Sequence, residues 1–367
     1  MLPTLKIGDL IARIPFVQGG MGVGISMSRL ASAVANEGGI GVISAAIIGF
    51  TERDLFSNYR EANIRALRRE IRKARELTQG VLGVNIMVAL TNFSDMVRTA
   101  VDEGIDVIFS GAGLPLDLPA YLNEQARSKL VPIISSARAA GVLCKRWLSR
   151  FDRLPDAFVL EGPLAGGHLG FSREQVTSAE FSLPKLLKEV LETLRPIEEK
   201  HGVKLPVIAG GGIYTGQDIR EMISLGAAGV QMGTRFVTTH ECDADERFKR
   251  AYLEAGEDDL VIIDSPVGLP GRSVRNHFLD EVKEGKKKPF RCPYHCLITC
   301  NQQESPYCIA MALINAARGR LEQGFAFAGQ NAFRATRLES VRSLIRGLID
   351  EFSQAAGRKL TGPALGG

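Results

Sequence analysis

The chain has 367 residues, 45% hydrophobic and 23% charged, an ordinary globular composition with room for one large domain or two smaller ones. Its 45 basic and 41 acidic residues leave a net charge of +4, too small to argue for a nucleic-acid partner. The first residues lack a signal-peptide layout and no apolar run reaches membrane-spanning length. A cytoplasmic protein with no membrane contact and no disulfides is therefore expected.

Short runs rich in Val and Ile predict strands over 14–18, 40–44, 82–87, 105–109, 131–135, 157–160, 205–209 and 228–232. They are mostly free of polar residues, as strands buried on both faces should be. Helical patterns lie between them at 27–37, 93–103, 137–149, 181–200 and 216–225, the last opened by a capping box from Thr215 to Asp218. Eight strand–helix units predict an α/β fold, a (β/α)8 TIM barrel over residues 1–240, with a doubly wound open sheet as the alternative. The stretch 51–79 reads as a helical insertion between strands two and three. Its basic residues, from Arg65 to Arg75, form either a solvated face or a platform for an acidic partner or a phosphate-bearing substrate. Residues 241–367 read as a helical, cysteine-containing C-terminal extension packed on the barrel. It has helical patterns near 244–255, 306–318 and 336–355, the apolar run 260–263, the triplet Lys286-Lys287-Lys288 and an end from Thr361 to Gly367 expected to fray.

The strand at 157–160 runs into Gly166-Gly167-His168. The two glycines allow close backbone approach to a flat ligand, and the histidine titrates near neutral pH. Strand seven ends in Gly210-Gly211-Gly212 and strand eight in Gln231-Met232-Gly233-Thr234. Glycine loops after the last two strands of a barrel expose backbone N–H groups, and Thr234 adds a hydroxyl, so a phosphate site is expected there. Cys292, Cys296, Cys300 and Cys308 fall within 17 residues. Gathered thiolates suit a [4Fe–4S] cluster first and zinc second, with free thiols as the alternative. Ser305-Pro306 reads as a helix start that places Cys308 in the first turn, and His295 as incidental.

Seven ordered motifs carry a resemblance. They are Gln18 to Gly22, Gly83 to Met87, Ser110 to Pro115, Ala165 to Gly170, Gly210 to Ile213, Gln231 to Thr234 and Glu241 to Asp243. On them the chain resembles the nitronate monooxygenase family, which also contains flavin-dependent enoyl-acyl-carrier-protein reductases. The resemblance implies a β/α barrel that binds FMN without a covalent link. It implies Gly20, Met21 and Asn85 beside the flavin, and Gly167, Gly211, Gly212, Gln231, Gly233 and Thr234 at its edge or phosphate. It implies His168 as the catalytic residue. The expected activity is oxidation of an alkyl nitronate with oxygen. The alternatives are an NAD(P)H-dependent reductase of enoyl thioesters, for which the basic helix would meet an acidic carrier protein, and a flavin and iron–sulfur electron-transfer protein. A homo-oligomer is compatible with each.

Overall fold

All eight expected strands form, and their pairing curls them into a barrel. The computed structural model describes residues 2–287, 292 and 294–355. The strands are β1 (Phe16–Gln18), β2 (Gly41–Ser44), β3 (Leu82–Met87), β4 (Val107–Gly111), β5 (Lys129–Ile134), β6 (Phe158–Glu161), β7 (Val207–Gly210) and β8 (Gly229–Met232). Sequence neighbours pair in parallel from β2 to β8, and β8 returns to pair with β1. Ile40 closes the ring against β1. It accepts from Gln18 N–H at 3.0 Å and donates to the Phe16 carbonyl at 2.9 Å.

Alternate side chains divide between two cores, as the two-residue period of a strand requires. Val42, Phe109, Val131, Val159 and Ile208 fill the barrel interior. Ile43, Ile108, Phe158 and Leu160 pack outward against the helices. An antiparallel hairpin, Leu5–Ile7 with Leu10–Ala12, plugs the N-terminal mouth and places Leu5, Ile7 and Ala12 in the interior core. The hydrophobic pattern did not reveal this hairpin, because its strands are three residues each.

The helical ring is formed by α1 (Ser28–Asn36), α2 (Tyr59–Leu77), α3 (Phe93–Asp102), α4 (Ala137–Phe151), α5 (Leu183–His201) and α6 (Gly216–Ser224). Helix α2 packs between α1 and α3. The stretch read as an insertion therefore supplies the regular helix of its unit. After β4 the chain makes only a 3-10 turn, Leu118–Tyr121. The place after β8 is taken by a helix from the chain's end. After the short α7 (Thr234–Val237), α8 (Glu246–Glu254), α9 (His277–Lys283) and α10 (Ile309–Ala317), α11 (Val341–Ala355) packs on α6 and α1. At Gly216 a Cβ would lie 2.2 Å from the Phe352 nitrogen, so glycine permits this close packing. Strands β9 (Leu260–Asp264) and β10 (Pro270–Val274) form a hairpin over the C-terminal mouth of the barrel. Lys288 and Thr361 to Gly367 lie outside the described residues.

Candidate active site

The C-terminal ends of the strands open into a cavity of about 520 Å³. Gly20, Met21, Asn85, Gly167, His168, Gly211, Gly212, Gln231, Gly233 and Thr234 all line it, so the structure brings together every barrel residue singled out from sequence. After β7, Gly211 and Gly212 have φ of 97° and 88°, which turns the backbone sharply where other residues would be strained. Thr234 Oγ1 accepts from Gly329 N–H at 2.9 Å, and Asn331 Nδ2 donates to the Gly212 carbonyl at 2.6 Å. Two residues of the C-terminal extension thus brace both glycine loops.

The glycines before His168 do different work. A Cβ on Gly166 would lie 2.5 Å from Ala328 C, so this glycine admits the backbone of the extension and not a flat ligand. Gly167 has φ of 80°, and a Cβ there would meet nothing within 4 Å. Gly167 and His168 form a two-residue strand that pairs antiparallel with β10. The imidazole Nε2 lies 2.7 Å from Ser265 Oγ. Phe327 packs against the ring with centroids 4.9 Å apart. Burial pulls the His168 pKa down to about 4, so the ring is neutral at physiological pH.

Two further ionisable residues complete the site. Glu161 ends β6, two residues beyond the inward-facing Val159, and lines the cavity. Burial pushes its carboxyl up to about 8. Arg272 on β10 is 3% exposed, and its Nη1 donates to the carbonyls of Pro163 and Ala165 at 2.6 and 2.7 Å. It fixes the loop that leads into the glycines. Sequence reading missed Ser265, Arg272 and Phe327. The available signal was the turn-forming run Ser265 to Gly271 after an apolar segment, which marks a hairpin without naming its target.

The nitronate monooxygenase family model matches residues 5–103 and 90–351. The chain belongs to this family. It is 30% identical over 273 residues to a Mycobacterium tuberculosis protein named (3aS,4S,5R,7aS)-5-hydroxy-7a-methyl-1-oxo-octahydro-1H-indene-4-carboxyl-CoA dehydrogenase. That match covers 74% of this chain and 66% of the relative, so it spans just under two thirds of the mycobacterial protein's length. A probable nitronate monooxygenase of Staphylococcus saprophyticus is 25% identical, covering 77% of this chain and 81% of the relative. Among solved structures, FabK from Thermotoga maritima superposes with a TM-score of 0.72 at 27% identity, covering 94% of each chain.

Nitronate monooxygenases are flavin-dependent oxidoreductases, and the residues present fit the cofactor. The fit rests on the positive-φ glycine turns, whose N–H groups suit a phosphate, and on the open space beside Gly167. Gly211, Gly212, Gly233 and Thr234 would hold the phosphate end. Gly20, Met21 and Asn85 would hold the ring system.

The cysteines behave differently from expectation. Among the described residues no group of three or more His, Cys, Asp or Glu side chains is placed to hold a metal ion. A [4Fe–4S] cluster or zinc on Cys292, Cys296, Cys300 and Cys308 therefore finds no support. The four thiols lie near enough to interact electrostatically, and each also has local partners. Cys296 sits in an apolar cluster with Val23, Ile47 and Ile314. Cys292 Sγ accepts from His295 N–H at 3.4 Å, and Cys300 Sγ lies 3.7 Å from Ser305 Oγ. Cys308 stands at the N-cap of α10, which begins at Ile309 and not at Pro306. The segment roofs the cavity. Ile298 N–H donates to the Ala89 carbonyl at 2.9 Å, and Leu297 lines the wall.

The arginines of α2 are largely neutralised from within. Arg60 pairs with Asp95, Arg65 with Asp54, Arg69 with Glu52, Arg72 with Glu103 and Arg75 with Asp106. This is the solvated, salt-bridged face, and it gives no independent support to a carrier-protein platform. No helix among the described residues is long and apolar enough to cross a membrane.

Proposed function

We propose that the protein is an FMN-dependent oxidoreductase acting on an acyl thioester at the carbons beside its carbonyl. One observation carries this reading. Among the described residues the cavity is lined by the neutral His168, by the carboxyl of Glu161 and by no lysine or arginine. Away from the glycine turns that suit a phosphate, a neutral carbonyl enters such a cavity at lower desolvation cost than an anion does. Bound FMN would supply hydride exchange with substrate carbon. His168 would donate to the carbonyl oxygen as negative charge grows there, and the roof around Leu297 would exclude water. The named activities of the mycobacterial relative and of FabK as an enoyl reductase support the thioester class.

Nitronate oxidation, placed first by the sequence, becomes the second reading. It draws support from the family model and the staphylococcal relative. The electron-transfer reading loses the cluster it depended on. Anaerobic mixing of the yellow protein with NADH, NADPH or an alkyl nitronate separates the two that stand. Bleaching by a nicotinamide, reversed by crotonyl-CoA, is the expected result. Bleaching by nitronate alone would make the second reading the right one.

A further inference from the structure

The extension does more than roof the cavity, because its hairpin reaches the histidine. The turn between β9 and β10 presents Ser265, and β10 then pairs with the strand that carries His168. Gly271 sits opposite His168, and Leu169 N–H donates to the Pro270 carbonyl at 2.8 Å. Hydroxyl and imidazole are therefore held in fixed register by backbone pairing, with Oγ 2.7 Å from Nε2.

The tautomer decides which way that contact runs, and the other partners of the hydroxyl favour one direction. A serine hydroxyl has one proton to donate and two lone pairs. Ser265 Oγ already accepts from Val267 N–H at 3.3 Å. The acceptor that the structure offers its own proton is His168 Nε2. A neutral imidazole that accepts at Nε2 carries its proton on Nδ1. No described residue bonds Nδ1, the ring lines the cavity, and Phe327 packs against it.

We propose that Ser265 is a positioning residue that fixes His168 as the Nδ1–H tautomer, so that the imidazole meets substrate as a hydrogen-bond donor and not as a base. The proposal deepens the functional reading above and rests on it for the substrate carbonyl. A fixed donor stabilises a developing oxyanion without moving a proton. The nitrogen facing substrate already carries hydrogen, so it has no lone pair with which to take a proton from carbon. A neutral histidine can serve as an electrophile in just this manner when its environment keeps it uncharged.

The test combines spectroscopy with kinetics on the protein as purified, labelled with 15N in its histidine rings and assigned with His168→Asn. The expected wild-type spectrum has His168 Nδ1 protonated and Nε2 bare. Ser265→Ala should release the ring to the other tautomer or a mixture. It should lower kcat ten- to hundredfold with KM changed less than threefold, as expected for loss of orientation and not of binding. Ser265→Thr, which keeps the hydroxyl, should restore both the spectrum and most of kcat. A protonated Nε2 in the wild type would overturn the proposal. So would a Ser265→Ala protein whose ring resonances and kcat are unchanged. The spectrum needs no turnover, so it stands or falls separately from the choice of substrate.

Discussion

Glu161 and His168 face one cavity with opposite titration shifts, and the signs can be worked through. Burial raises the Glu161 carboxyl to about 8. Between its unfolded value, near 4.3, and 8, the unfolded chain loses this proton while the folded chain keeps it, so stability falls as pH rises. Above 8 both states are ionised and the loss is complete. The slope attributable to this one group is at most about 1.4 kcal/mol per pH unit. Glu161→Gln removes it. The variant should be more stable than wild type at pH 8 and nearly equal at pH 4, as read by urea unfolding. An unchanged difference across that range would mean that Glu161 is ionised in the folded protein. His168 works the other way. Its pKa is lowered to about 4, so its contribution is present above 6.5 and is lost as pH falls through 4. The free-enzyme rate profile should accordingly show no histidine ionisation between pH 5 and 8.

At the scale of elements, the motif Glu241-Cys242-Asp243 has a structural explanation. Asp243 Oδ2 accepts from Met27 and Leu30 N–H at 2.8 and 3.2 Å, which caps α1 from outside because Met27 has no capping side chain. Glu241 Oε2 accepts from Val341 N–H at 3.0 Å and caps α11. Two neighbouring carboxylates thereby hold the starts of two helices at opposite ends of the chain. Asp243→Ala should cost about 1–2 kcal/mol, the usual worth of a cap, measured by denaturant unfolding at pH 7. Such capping across 100 to 216 residues is invisible to a local reading, which recognises caps only beside their own helix. The Thr215–Asp218 box was legible because all its partners are adjacent, and the structure forms it. The barrel strands were legible for a different reason. Strands buried on both faces are apolar throughout, so Val42-Ile43 or Val207-Ile208 reads as an apolar run bounded by glycine, serine or proline. The candidate site divides along the same line. Its glycine loops follow strand ends and could be read, whereas Ser265 meets His168 only through pairing across 97 residues.

For the molecule as a whole, the C-terminal segment is part of the barrel. Helix α11 occupies the helical place after β8, and Leu348 and Phe352 are buried against α6. Leu348→Ala should cost about 2–5 kcal/mol, the range for a fully buried leucine, in a single cooperative transition. A cost under 1 kcal/mol, or a separate early transition, would make the helix an appendage.

The bracing of the site from downstream also has a consequence for how the protein is made. Chains emerge from the ribosome N-terminus first, and their parts fold in that order. His168 emerges well before Ser265, Ala165 waits a further 107 residues for Arg272, and Gly212 waits 119 for Asn331. All eight strands are therefore synthesised while the histidine loop and both glycine turns still lack their supports. On the proposed function, flavin capture would come late in biosynthesis, after the hairpin and the segment beyond Phe327 have left the exit tunnel. A stalled or prematurely ended chain would then be nearly a whole barrel and still colourless.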